Sequence, residues 1–214
     1  MALIELHRDA APAGVGALLK SLSTTLSATD FYLAGGTALA LLEGHRMSVD
    51  LDVFSPSFEN PEELLALVEK AYPKAVTTHM SPRTLYVRIS ETIVSFFGYS
   101  YPLISPLLRP EPELLPFASR DDIAAMKLAA IASRGSRKDF IDLWWLVDNY
   151  WPLGDCLGFF REKFEMRDVG HVVKSLVFFD DADREPPLRL LADIDWTHVK
   201  DDFRRWTNDL VHSG

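Results

Sequence analysis

The sequence predicts an α+β fold, with a mixed sheet and flanking helices in its first half and an all-helical second half. Three observations carry this. Alternation of apolar and polar residues with a period of two, the mark of half-buried strands, is confined to residues 31–99. Beyond residue 116 the apolar spacing is helical throughout. Between the two lies YPLISPLLRPEPELLP, residues 101–116, whose five prolines suit a linker or crossing segment. The expected domains are therefore 1–108 and 109–214.

In order along the chain, residues 12–28 show helical spacing weakened by serine and threonine. Phe31-Tyr32-Leu33 predicts a short strand, and Thr37 to Glu43 (TALALLE) a helix ended by Gly44. Ser48 to Phe54 alternates, with Val49, Leu51 and Val53 on one side and Ser48, Asp50 and Asp52 on the other, so it predicts a strand. Asn60-Pro61-Glu62-Glu63 is a helix start: Asn caps, Pro fills the first position, and acids meet the positive end of the dipole. Strands are expected at Ala75–His79, Thr84–Ser90 and Thr92–Tyr99, with Glu91 in a hairpin turn. Helices are expected at Asp121–Ser133, Lys138–Asn149, Gly154–Phe164, Val169–Asp181 and Trp196–Leu210.

Composition bounds the function. The chain has 214 residues, 48% of them hydrophobic, enough for a substantial core. A net charge of −9 disfavours broad binding to nucleic acid, so no DNA binding is expected, although a local basic pocket remains compatible. One cysteine, Cys156, excludes an intramolecular disulfide, and no window is apolar enough to span a membrane. A cytoplasmic location is expected, with no membrane partner.

The chemistry concentrates in FYLAGGTALALLEGHRMSVDLDVF, residues 31–54. Asp50 and Asp52 share one strand face about 6.5–7 Å apart, so their carboxylates can converge on a hard cation such as Mg²⁺. Beside a phosphate site they suit metal-assisted phosphoryl or nucleotidyl transfer. The ordinary reading is two solvated acids, because D-x-D alone is a weak signal. Gly35 and Gly36, between strand and helix, can let phosphate oxygens approach backbone N–H groups, and Thr37 can add a hydroxyl. A tight turn requiring positive φ would explain the glycines equally well.

The whole arrangement, an apolar run, G-G-T, a helix and then D-x-D on a strand, resembles the first motif of the DNA polymerase β-like nucleotidyltransferase superfamily. The longer string G-G-T-A-L…H-R-M-S-V-D-L-D-V-F is similar to the AbiEii/AbiGii toxin family. Residues 121–128 (DDIAAMKL) and 134–143 (RGSRKDFIDL) resemble its later motifs. The resemblance implies a nucleotidyltransferase-like first domain and a helical part completing the active-site cleft. It implies Mg²⁺-dependent transfer of NMP from an NTP to RNA, with tRNA a candidate, or to protein. It further implies a bacterial toxin with a helix-turn-helix antitoxin as partner. Asp50 and Asp52 would hold metal, Gly35, Gly36 and Thr37 would meet phosphates, and Lys127 would neutralise the triphosphate. Asp139 would act at the acceptor.

Spacing adds that Lys127 and Arg134, seven apart, share a helix face, and Lys138 opens the next helix. With Arg137 they could form a basic patch. The ordinary readings are a solvated Lys127, a surface pair between Lys138 and Asp142, and Asp139 paired with Arg134 or Arg137.

One departure stands out. The superfamily carries a third carboxylate on a later strand, and the matching position is Ser95, a hydroxyl and a poor Mg²⁺ ligand. Glu91, at the start of that strand, is about 13 Å away. The alternative reading is a degenerate fold that binds nucleotide or a partner protein without transfer. A haloacid-dehalogenase-type phosphatase fits poorly, since Phe54 stands where that family places Thr. Trp144-Trp145, Phe159-Phe160 and Phe178-Phe179 suit core packing better than base stacking. Arg46 is expected to brace the acidic strand, and Cys156 to be buried.

Overall fold

The computed structural model describes residues 4–212. The chain forms two compact units: residues up to Tyr101 together with Pro106–Ala118, and Pro102–Ser105 together with the chain from Ser119 onward.

The first unit is built on a five-stranded mixed sheet. Its strands are β1 (Tyr32–Ala34), β2 (Leu51–Ser55), β3 (Val76–Ser81), β4 (Thr84–Ile89) and β5 (Thr92–Gly98), in the order β1-β2-β5-β4-β3. The β2–β5 pair is parallel and the other pairs are antiparallel. One face is the core: Leu33, Leu51, Val53, Leu85, Val87, Val94 and Phe96 are all fully buried. Helices α1 (Ala13–Thr25), α2 (Gly35–Glu43) and α3 (Pro61–Ala71) complete the unit. Helix α3 starts as its sequence requires, with the Asn60 side chain accepting from the Glu62 and Glu63 N–H groups. The segment before Ala118 joins this unit by main-chain pairing, since Leu33 N–H donates to Pro116 O and Ala118 N–H to Leu33 O, each at 2.8 Å.

Two local expectations shift. The strand expected from Ser48 begins at Leu51. Ser48 N–H instead bonds Ala10 O, and the Asp50 carbonyl accepts from the Thr37 hydroxyl, so neither group is available to a ladder. Helix α2 begins at Gly35, not Thr37, so the two glycines form its first turn. Gly44 ends α2 in the left-handed conformation, as expected. The β4–β5 hairpin turns at Ser90-Glu91, with Ser90 at positive φ.

The second unit is helical. Its helices are α4 (Arg120–Arg134), α5 (Arg137–Asn149), α6 (Leu153–Phe164), α7 (Gly170–Ser175), α8 (Asp180–Arg184) and α9 (Trp196–His212). The single helix expected over Val169–Asp181 is two short ones. Leu176 N–H is shared between Val172 O and Val173 O, and Phe178 N–H reaches Ser175 O, so the last turn of α7 tightens and stops. Phe178 falls in this turn and is 56% exposed, which corrects its assignment to the core, while Phe179 is buried. Trp144 and Phe160 are buried as expected.

A buried charged network organises this unit. Lys163 on α6 and Asp122 on α4 form a fully buried ion pair at 2.6 Å. Lys163 Nζ also donates to Pro102 O at 2.9 Å, and Asp122 accepts from Ile104 N–H and Ser105 N–H. Residues 102–105 are thereby tied to the start of α4. The capping pattern Ser119-x-x-Asp122 was the available sequence signal for Asp122, and the Ser119 side chain does accept from Asp122 N–H. Nothing in the periodicity marked Lys163.

Candidate active site

In the first unit, four of the expected residues meet around the start of α2. Gly35 has φ +68, a left-handed conformation that favours glycine. A Cβ built on it would lie 2.9 Å from Asp52 Oδ2, so the Asp52 carboxylate occupies the space that a side chain would need. Asp52 lies on β2, cross-strand from Ala34, the residue that caps α2. Asp50 is one residue ahead of the strand and partly exposed. Thr37 is buried, its hydroxyl donating to the Asp50 carbonyl and lying 2.8 Å from Ser48 Oγ. It holds the main chain that presents Asp50. Arg46, also buried, donates to Met47 O at 3.0 Å.

Ser95 pairs in register with Asp52 across the parallel β2–β5 ladder and is buried. The position matched to the superfamily's third carboxylate thus neighbours Asp52 and holds a hydroxyl. Among the described residues, no group of three or more His, Cys, Asp or Glu side chains is placed to hold a metal ion. Asp50 and Asp52 are the candidate donors, and two carboxylates would leave Mg²⁺ to take its remaining ligands from water and substrate phosphates, the usual habit of that ion.

In the second unit, α4 and α5 bring together a compact charged cluster. Lys127 Nζ lies 2.8 Å from Asp139 Oδ1 and 2.6 Å from Asp142 Oδ2. Arg134 Nε donates to Asp139 Oδ2 at 2.8 Å, and its Nη2 to Oδ1 at 3.1 Å. Lys127 is therefore not the solvated lysine of the ordinary reading. Asp142 is buried against Lys127 and not on the surface with Lys138. Lys127 and Arg134 do share a helix face, because both reach Asp139. Burial of Asp139 pushes its carboxyl up, but the charge of Lys127 and the Arg134 hydrogen bonds outweigh it, leaving the carboxyl below its ordinary value. Arg134 is the accessible cation of the cluster, with 57% of its side chain exposed. Lys138, on the first turn of α5, is partly exposed. Cys156 is buried, its thiol pushed up to about 12, so it stays an unreactive thiol.

Glu185 was invisible to sequence reasoning. Its carboxylate accepts from Ser136 Oγ and Arg137 N–H, both at 3.0 Å, so it caps α5 across 48–49 residues of chain. Such a cap depends on tertiary folding and has no local signature.

A glycine-led helix start packed against Asp52 of the mixed sheet, in a chain that also carries a helical unit, is the arrangement of a nucleotidyltransferase-like protein. A family model described as the nucleotidyl transferase AbiEii toxin of Type IV toxin–antitoxin systems matches residues 17–210, and the chain belongs to this family. It is 37% identical over 189 residues to the uncharacterized protein aq_aa25 of Aquifex aeolicus, covering 86% of this chain and 89% of that one. Two solved structures share the fold. JHP933 of Helicobacter pylori has a TM-score of 0.55 at 18% identity, over 97% of this chain and 94% of that one. MenT4, a nucleotidyltransferase toxin of Mycobacterium tuberculosis, has a TM-score of 0.54 at 20% identity, over 93% and 87%. No helix among the described residues is long and apolar enough to cross a membrane.

Proposed function

We propose that this chain transfers NMP from an NTP to a hydroxyl on RNA, tRNA among the candidates, as the toxin of a toxin–antitoxin pair. The observation that carries the reading is the packing of the Asp52 carboxylate directly against Gly35 at the start of α2. Phosphate oxygens bound by the N–H groups of Gly35 and Gly36 would then lie beside the acid that holds the metal. Asp50 and Asp52 would hold Mg²⁺, which polarises the transferring phosphoryl group and lowers the cost of its developing charge. Thr37 keeps Asp50 in place through its main chain. By the family resemblance Lys127 would meet substrate phosphates and Asp139 would act at the acceptor, and Arg134 and Lys138 would add cations for the phosphates. The exposed guanidinium of Arg134 is the better suited of these cations, since Lys127 already binds two carboxylates. A helix-turn-helix antitoxin and a cytoplasmic setting are further parts of the proposal that come from the family resemblance, and a protein acceptor is the alternative to RNA that the same resemblance allows.

The test is a transfer assay with Mg²⁺, each of four α-labelled NTPs, and a pool of tRNA plus cell extract. Label should move onto RNA and be lost in Asp52→Asn. Label on protein alone, or transfer undiminished in Asp52→Asn, would overturn the reading.

Ser95 favours a second reading, a site that binds Mg·NTP without transferring it. Under that reading, Ser95→Asp should create transfer in a protein that otherwise only binds nucleotide. Robust transfer by the native chain excludes it.

A further inference from the structure

The sheet face that carries Asp52 also carries a ladder of aromatic rings. Cross-strand registers set Asp52 opposite Ser95, Ser95 opposite Tyr86, and Tyr86 opposite His79, so these side chains form one row on one face. The adjoining row on that face runs Tyr32, Phe54, Phe97 and Thr84. The rings touch in sequence. Tyr32 stacks on Phe54 at 6.0 Å and Phe54 on Phe97 at 5.0 Å; Phe97 meets Tyr86 edge-on at 5.6 Å, and Tyr86 meets His79 at 5.2 Å. Exposure rises along this series, from buried Tyr32 and Phe54, through partly exposed Phe97 and Tyr86, to exposed His79. Arg88, two residues beyond Tyr86 and hence on the same face, is exposed as well.

We propose that Tyr86, Phe97 and His79 form a stacking platform for the bases of a single-stranded RNA acceptor, with Arg88 meeting its phosphates. The inference rests on the transferase reading and names the acceptor side of the same site. The strand order decides which nucleotide the platform serves. Gly35 follows β1, on one side of Asp52; Tyr86 lies two strands away on the other side, about 10 Å across the sheet. An NTP with its phosphates at Gly35 therefore sits toward β1. The rings toward β3 meet the chain whose hydroxyl is brought up to Asp50 and Asp52. Aromatic side chains beside a cation suit unpaired bases, each of which offers a π-face, and do not suit a stacked duplex. This local recognition by rings also accommodates the chain's net charge of −9, since it does not depend on a broadly basic surface.

The test measures binding, not chemistry. A short fluorescein-labelled single-stranded RNA is titrated with the full chain and followed by anisotropy, with an RNA duplex in parallel and each Mg·NTP titrated separately. Tyr86→Ala should raise the single-strand Kd by about fivefold or more, the equivalent of losing one base stack. Tyr86→Phe should keep native affinity, His79→Ala should weaken binding, and Mg·NTP affinity should be unchanged in all three. His79 is exposed, so its variant still tests the idea if Tyr86→Ala fails to fold.

Unchanged RNA affinity in His79→Ala and in folded Tyr86→Ala would overturn the platform. So would equal binding of duplex, absence of RNA binding by the native chain, or a parallel loss of Mg·NTP binding. Transfer that survives with an unaltered acceptor KM in Tyr86→Ala defeats the platform alone. Tyr86-dependent RNA binding without any transfer defeats the transferase reading alone.

Discussion

Replacing Gly35 by alanine separates two consequences of one methyl group. The first is conformational: at φ +68 a Cβ approaches the following carbonyl, at a cost of about 1–2 kcal/mol. The second is steric, because the new Cβ would stand 2.9 Å from Asp52 Oδ2 and 3.4 Å from Asp52 Cβ. The oxygen is the end of a rotatable side chain, so the carboxylate can swing aside at little cost in stability. It then leaves the position where the metal and phosphate are proposed to meet. Gly135→Ala provides the control, with φ +58 and only Ile131 O at 3.8 Å from the added Cβ. Both variants should therefore lose about 1–2 kcal/mol in urea unfolding. Only Gly35→Ala should lose transfer, by about a hundredfold, the scale of a displacement of about 1 Å in a catalytic group. The comparison is read from two unfolding curves and one transfer assay per variant. Full transfer by Gly35→Ala would refute the argument that Asp52 must sit against this glycine. A stability loss far above that of Gly135→Ala would refute the claim that the carboxylate yields easily.

Lys163→Met should destabilise the chain by about 3–5 kcal/mol in urea unfolding, because it leaves the buried Asp122 carboxylate with only neutral donors. The double variant Lys163→Met/Asp122→Leu should regain part of that loss; no recovery would mean that packing, not the stranded charge, sets the cost. Asp139→Asn should destabilise at neutral pH, and its deficit should shrink in acid. The carboxyl is lower in the folded chain than its ordinary 3.8, so its contribution is complete above about pH 4 and fades as pH falls through the folded value. Stability measured against pH for both proteins checks this, and a deficit that grows in acid would reverse the sign. Ser95→Asp should weaken folding without Mg²⁺ and regain stability on adding it, since a buried third carboxylate beside Asp52 needs a cation. A melting temperature indifferent to Mg²⁺ would argue against a metal at this position.

The elements were legible wherever local chemistry decided them. Asn60 with Pro61 and two acids forced the start of α3, and Gly44 and Gly135 ended their helices in the left-handed conformation. The period of two located β4 closely, because it buries one face and leaves the other partly exposed. Boundaries moved where a tertiary bond competed with a ladder, as when Thr37 captured the Asp50 carbonyl and shortened β2.

The strings G-G-T-A-L…H-R-M-S-V-D-L-D-V-F, DDIAAMKL and RGSRKDFIDL carried the resemblance to the family to which the chain belongs. Sequence alone thus determined the class of protein, the candidate acids and the absence of an acid at position 95. Only the tertiary structure decided the state of those groups. It set the Asp52 carboxylate against Gly35, put Ser95 in register with Asp52, buried Lys127 between two aspartates and placed the aromatic row beside the site. The physical reason is range. Propensity and periodicity report on neighbours along the chain, whereas burial, charge pairing and cross-strand register join residues that folding alone brings together.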